Sequence, residues 1–380
     1  MEQEIYENLC YLSFDINSFP DLRALSPSTT HPSAIQYSSF VLSIVTSIIG
    51  LLANIIVIFV TGFLMKKNKY KIWFLNLALA DFTFLLFLLL YATSVLREWT
   101  YGSSMCKIYH FLTFINMYCS IYILTALNID RTLSVAKPVW HLRFHSRRFC
   151  WCMCGVIWAS SILCSIPAIV YSDVHEENIC SLSFYDPSAL VNIFSFDLED
   201  VEEDLPIDLI PQEICKNASV VYSNQEIVTF GREVIFTAER LVVPLAVVGY
   251  IIPLCIILLS NIIIALHVKN SKMVATSRLY RVVIVTIMSF FFSKTPYVLA
   301  FIIYLVSVYT LKFTSMYKLS IVLPLLFSIA ATNSLLNPLV YVLVGKEVRS
   351  EIITFFRKKY AQEKRDERGR TERFPTSTCC

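Results

Sequence analysis

Seven stretches of this chain are long, apolar and almost free of charge, near Phe40–Met65, Ile72–Leu96, Ile108–Ile129, Phe149–Tyr171, Leu241–Leu266, Val282–Tyr309 and Leu319–Val344. Each can cross about 30 Å of hydrocarbon as a helix, for which roughly 20 residues suffice. Lipid offers the backbone no hydrogen bonds, so a spanning segment must be a helix or a strand of a closed barrel. None of these stretches alternates apolar with polar residues as barrel strands do. Only Asp81 and Lys294 carry a formal charge within them. Composition agrees: 56% apolar and 16% charged residues, with a mean hydropathy of +0.60, exclude an ordinary soluble domain. The expected fold is an all-α membrane protein, a seven-transmembrane helix bundle.

The connections set an expected orientation. MKKNKYK follows the first span, Lys137, Arg143, Arg147 and Arg148 the third, and Lys269, Lys272, Arg278 and Arg281 the fifth. Lys/Arg-rich connections face the cytoplasm, which leaves the N-terminus outside a plasma-membrane, multi-pass protein. The start of the chain has no basic, apolar, small-residue signal sequence, so the first span is expected to act as the insertion signal. Four regions follow: an acidic extracellular N-terminus at 1–37; a bundle at 38–344, whose second outer loop runs over 172–238; an amphipathic juxtamembrane helix at 345–359; and a cytoplasmic tail at 360–380. The long loop holds 14 acidic residues against Lys216 and Arg232. A run of like charge is either solvated and disordered or a funnel that raises encounter rates with a cationic ligand. Asn217 heads a glycosylation sequon there.

Cys10, Cys106, Cys180 and Cys215 fall on the outer side, where an even number favours two disulfides. Three pairings are open. We favour Cys106 with Cys180, leaving Cys10 for Cys215. Cys150, Cys152, Cys154 and Cys164, in one apolar run, read as buried thiols.

Polar residues inside the spans are costly in lipid and mark candidate sites. Asp81 is the strongest, and Asn54, Asn116, Ser120, Asn333, Ser334 and Asn337 can converge on it. A carboxylate ringed by neutral oxygens suits a sodium ion; the alternative is a polar packing network without an ion. No other metal or cofactor is expected. Nor is an enzyme, since no nucleophile with a positioned base or metal cluster stands out. A transporter or channel is disfavoured because the seven spans show neither an inverted repeat nor a pair of broken helices. No nucleic-acid partner is expected.

NIDRTLSVAKP ends the third span and NSLLNPLVY the seventh. With Asn54, LALAD, Trp158, Pro253 and Pro296, they resemble the rhodopsin-like (class A) G-protein-coupled receptors across all seven spans. The resemblance implies a two-state bundle biased by an outside ligand. In it, Asp130 restrains Arg131 until Arg131 turns inward to receive a G protein, while Asn337, Pro338 and Tyr341 rearrange. Arrestin and a receptor kinase are implied partners, with Thr371, Thr376, Ser377 and Thr378 as tail sites. IWFLNLALADF, WTYGSSMCK, TSRLYRVV and LVGKEVR are similar to the chemoattractant branch, the formyl-peptide, complement anaphylatoxin and chemerin-type receptors. That branch implies a peptide or protein ligand and the inhibitory G-protein class. Thr113, at the aminergic aspartate position, argues against amines; Ala331, at the Schiff-base lysine position, argues against retinal. Met117, Arg240, Tyr297 and Phe327 join Thr113 and Lys294 as candidate pocket residues.

Val348, Ile352, Phe355 and Phe356 share one face after the last span, followed by Arg357, Lys358 and Lys359, as in a helix lying on membrane lipid. Cys379 and Cys380 are candidates for lipidation. Three residues depart from the family pattern. Asn261 replaces the fifth-span tyrosine, Thr132 follows the Asp-Arg pair, and Lys294 stands where a pocket-floor tryptophan is usual, two residues before Pro296. Lys294 has three solutions: pairing with Asp81 in place of sodium, holding an anionic ligand group, or remaining neutral. The departures make a decoy receptor, which binds without activating a G protein, the alternative function.

Overall fold

The computed structural model describes residues 33–65, 71–174, 180–182, 240, 242–271, 278–309, 313–343 and part of 350–364. Cys10, Cys215, Asn217, Cys379 and Cys380 lie outside the described residues, as does the body of the acidic loop.

Seven helices are long and apolar enough to cross a membrane, and four shorter features complete the described fold. α1 (Ala34–Phe59) starts at a reciprocal cap, in which Ser33 and Gln36 exchange side-chain and backbone bonds, and ends in a π-helical turn, Val60–Leu64. α2 (Lys71–Leu96) and α3 (Gly102–Ala136) follow. Lys137 stops α3, and Pro138, which needs no amide partner at a first helical position, opens the short α4 (Pro138–Phe144). α5 (Arg147–Val170) is capped by the Ser146 hydroxyl. β1 (Ser172–Val174) and β2 (Cys180–Leu182) pair antiparallel, with Asp173 opposite Ser181. A π-helical turn, Val247–Ile251, leads into α6 (Ile252–Ser271). The extra residue of that turn lies just where Pro253 has no amide hydrogen for the preceding turn. α7 (Arg278–Tyr309) carries Pro296. The last span is broken: α8 (Phe313–Ala331) and α9 (Asn333–Leu343) meet at a turn on Thr332.

α3 is the central helix. The most buried stretch of any span belongs to it, and it packs against α2, α5, α6 and α7. Its aliphatic residues Ile121, Leu124 and Leu127 meet Leu77 and Ala80 of α2, Cys150 and Cys154 of α5, and Ile257 of α6 in the largest core cluster. Hydrogen bonds between spans add direction to that packing. The Trp158 indole donates to Asn76 Oδ1 at 2.9 Å, joining α5 to α2, and Asn128 Nδ2 donates to the Ile257 carbonyl at 3.0 Å, joining α3 to α6. Ser39, Ser43 and Ser328 bond one another at 2.7–2.8 Å between α1 and α8. Gly249 lets the fifth span approach α3, since a Cβ there would lie 2.9 Å from Tyr118 Cε1.

The outward faces carry large apolar side chains, among them Leu52, Phe63, Leu163, Leu259 and Phe292, as a lipid-solvated bundle requires. The thiols divide accordingly: Cys150 and Cys154 are buried, but Cys152 is exposed and Cys164 half-buried, because one helical face cannot hold all four. Beyond α9, the described residues of 350–364 are helical. Phe355 there packs edge-on against Phe59 at the end of α1, with centroids 5.5 Å apart.

Candidate functional site

Asp81 is fully buried in α2. Asn116 Nδ2 of α3 donates to its Oδ1 and Asn337 Nδ2 of α9 to its Oδ2, each at 2.8 Å, so one carboxylate joins three spans. A fourth helix enters through proline chemistry. Pro338 has no amide hydrogen for the Ser334 carbonyl one turn back, and that carbonyl accepts from Asn54 Nδ2 of α1 at 2.9 Å. The Ser334 hydroxyl lies near the carboxylate. Around this hub the buried oxygens of Ser120, Ser334, Asn333 (Oδ1), Asn337 (Oδ1) and Asn54 (Oδ1) have no hydrogen-bond partner among the described residues. A buried carboxylate and unsatisfied hard oxygens are the donor types that suit a small cation such as sodium.

Lys294 is buried as well. Its Nζ lies 6.0 Å from the centroid of the Phe84 ring and attracts Asp81 through the core. Among the described residues, no ion pair within 4.0 Å joins the two. The coupling of Lys294 to Asp81 is therefore a longer-range attraction and not a direct ion pair.

Toward the Cys106 end an aromatic cluster stands over this region. Phe327 meets Tyr91, Tyr297 and Phe84 edge-on, at 5.0, 5.6 and 6.4 Å. Tyr91 stacks on Tyr109 at 5.3 Å, and Tyr297 on Phe301 at 5.6 Å. Of the candidate pocket residues, Tyr297, Phe327 and Lys294 belong to this region and Met117 is buried in α3. The Thr113 hydroxyl is turned back onto the Tyr109 carbonyl at 2.8 Å. Arg240 donates to the Tyr171 hydroxyl at 3.0 Å in an exposed position, far from any floor role. Phe84, Tyr91 and Tyr109 were missed by sequence reasoning. The first two are seven residues apart, two turns of one helical face, and that spacing was the available signal. Leu245 lines an apolar groove with Val242, Tyr297 and Phe301.

Cys106 and Cys180 form a disulfide that ties β2 to the start of α3. Asp173 of the paired strand reinforces the same corner: Ser103 donates to it at 2.5 Å, and Lys107 lies 3.4 Å away. The Ser103 hydroxyl, with the Val174 amide, holds the Asp173 carboxyl below its ordinary range.

At the opposite end of α3, Asp130 and Arg131 are buried. Among the described residues, the ion partners of Asp130 are His141 and His145, whose Nε2 and Nδ1 lie 2.9 and 2.8 Å from Oδ1. The short α4 places them there, folding the chain straight back onto α3. Thr132 bonds the Asn128 carbonyl at 3.0 Å, and Asn261 the Ile257 carbonyl at 2.9 Å. Thr132 also reaches the Ser260 carbonyl of α6 at 3.4 Å, while Asn261 Oδ1 has no hydrogen-bond partner among the described residues. The Tyr341 side chain lies outside the described residues.

Seven spanning helices around a buried carboxylate hub, with an Asp-Arg pair at one end, are the architecture of a multi-pass seven-transmembrane bundle. Residues 53–196 match the 7 transmembrane receptor (rhodopsin family). The chain is 29% identical to Chemerin-like receptor 1 of Sus scrofa over 81% of its length and 77% of that protein. It is 27% identical to the C3a anaphylatoxin chemotactic receptor of Oncorhynchus mykiss, over 93% and 86% of the two chains. With the C5a anaphylatoxin chemotactic receptor 1 of Gorilla gorilla gorilla it shares 28% identity over 88% and 86%. The chain is thus similar to the rhodopsin-family seven-transmembrane receptors over residues 53–196 and, at 27–29% identity, to the Chemerin-like, C3a and C5a receptors.

Proposed function

We propose that the chain binds an extracellular peptide or protein chemoattractant and signals through a heterotrimeric G protein of the inhibitory class. The observation that carries this reading is a path of contacts through the bundle. It runs from the Phe327–Tyr297 aromatic cluster through Phe84 to Lys294, whose charge attracts Asp81 across the core, and from Asp81, through Asn116 and Asn337, to the helices that bear Arg131 and Pro338. A ligand that favours one packing of the aromatic cluster biases a hub shared by three spans, which is the physical requirement for a two-state switch. Relatives whose names specify C3a and C5a support a complement-fragment-like ligand. The acidic loop supports a partly cationic one. The basic connections support an extracellular N-terminus, with the Arg131 end in the cytoplasm.

Thr113, Met117, Tyr297 and Phe327 would line the pocket, Lys294 would receive an anionic group of the ligand, and Arg240 would act at the mouth. Asp81, with the oxygens of Ser120, Asn333, Ser334 and Asn337, would hold a sodium ion; such an ion stabilises one packing of the hub by charge. A receptor kinase and arrestin would act on the tail threonines and serine.

A decoy receptor is the second reading, favoured by Lys294 at the pocket floor and by an Asp130 engaged by two histidines. A screen of chemoattractant peptides and complement fragments, read by cAMP inhibition and arrestin recruitment in the same cells, separates the two. Both responses are expected from a signalling receptor; arrestin recruitment or internalisation without a cAMP response identifies a decoy. Silence toward every chemoattractant would overturn the ligand class.

A further inference from the structure

The Asp130 cluster has a shape that an ion pair does not require. One carboxylate oxygen, Oδ1, serves two imidazole nitrogens at 2.9 and 2.8 Å, while the buried Oδ2 has no hydrogen-bond partner among the described residues. The two rings stack with centroids 4.6 Å apart, a poor arrangement for two imidazolium ions. All three side chains are largely shielded, with exposures of 12%, 5% and 8% for His141, His145 and Asp130. One donor atom from each lies within 4.8 Å of the other two.

We propose that Asp130, His141 and His145 form a zinc-binding site at the Arg131 end of the bundle. Two imidazole nitrogens and a carboxylate oxygen, with water in the fourth position, are a donor set suited to Zn²⁺. Zinc ligands stand about 2.0–2.2 Å from the metal, so the nitrogens now 2.8–2.9 Å from Oδ1 need to open by some tenths of an ångström, and the stacked rings must turn so that the in-plane lone pair of each aims at one ion. The local sequence supplies this geometry. His141 and His145 are four residues apart on and just after α4, hence on one face, and Pro138 sets α4 directly against the end of α3.

On binding, the hydrogen on each facing nitrogen must leave. A charged ring releases it to solvent, and a neutral ring carries it on the other nitrogen. For His145 that other nitrogen, Nε2, is 3.7 Å from Cys150 Sγ. The sulfur can accept its hydrogen and orient the ring, as outer partners of metal-bound histidines do. Arg131 is next to Asp130 in the chain, so the site holds its cation by donor bonds and not by a net negative field. Zinc there would clasp α4 to α3.

The test uses the full-length receptor in lipid nanodiscs, purified without a histidine tag. Zn²⁺ is titrated in competition with a fluorescent chelator, and Co²⁺ is added to follow its absorption spectrum. One zinc per receptor is expected, with affinity falling tenfold or more in His141→Gln and in His145→Gln separately. Bound cobalt should give the intense visible bands of a four-coordinate site without thiolate charge-transfer absorption, since Cys150 stays outside the ligand set. Unchanged zinc affinity in either variant would overturn the assignment. So would a wild-type cobalt spectrum of the six-coordinate aqueous ion, or one with thiolate bands. Should a variant fail to fold, the wild-type spectrum decides alone.

Discussion

Removing one amide from the Asp81 hub gives a quantitative test of its wiring. Asn116→Ala deletes a 2.8 Å bond to a fully buried carboxylate. Hydrogen bonds to charged groups contribute about 1.5–3 kcal/mol, whereas side-chain bonds between membrane helices average about 0.6 kcal/mol, with a maximum near 1.7. An ionised Asp81 therefore predicts a coupling of about 1.5 kcal/mol with Asn116. Because Asn116→Ala also removes packing, the coupling is read from a double-mutant cycle with Asp81→Ala, which removes the acceptor together with the charge. Unfolding of the four proteins in mixed micelles, followed by tryptophan fluorescence, supplies the free energies. The cycle should give about 1.5 kcal/mol, and a result near 0.6 would mean that the carboxyl is neutral at the working pH. Additivity within about 0.3 kcal/mol, the behaviour of independent sites, would refute the hub itself.

Lys294→Met should raise the unfolding free energy by about 1 kcal/mol. It removes an intramembrane ammonium costing about 2.5–3.5 kcal/mol and gives up a desolvated cation–π contact worth about 2 kcal/mol. The same variant should strengthen the effect of sodium on agonist affinity, an effect that Asp81→Asn should abolish, as radioligand competition at varied sodium would measure. Gly249→Ala should destabilise by about 1–3 kcal/mol, an overpacking cost, since its Cβ meets the Tyr118 ring at 2.9 and 3.3 Å; thermal unfolding checks it. At the opposite end, Asp173 has a lowered carboxyl pKa, so its stabilisation is present above the ordinary value of 3.8 and is lost as pH falls through the folded-state value. Melting temperature should be insensitive to Asp173→Asn only at the acid end of a pH series, and a constant difference between the two proteins down to pH 2 would refute the sign.

The spans, their number and the residues of the hub were legible in the sequence alone. A lipid-crossing helix must satisfy its own backbone and must be apolar over its whole length, so each span is a local property of the chain. The few polar residues inside it are conspicuous for the same reason. Asp81, Asn116 and Asn337 could thus be singled out as residues able to converge. The tertiary structure decided how partners are shared. That Asp81 takes one amide on each oxygen while Lys294 stands beside an aromatic ring depends on which face each of four helices turns inward. Short-range polar bonds between spans have no signature in hydropathy. Likewise, His141 and His145 look like loop residues in a basic stretch, and only the return of α4 onto α3 brings both to one oxygen of Asp130. The membrane's demand for self-satisfied helices is written in every span, whereas the choice among polar partners is made where the helices touch.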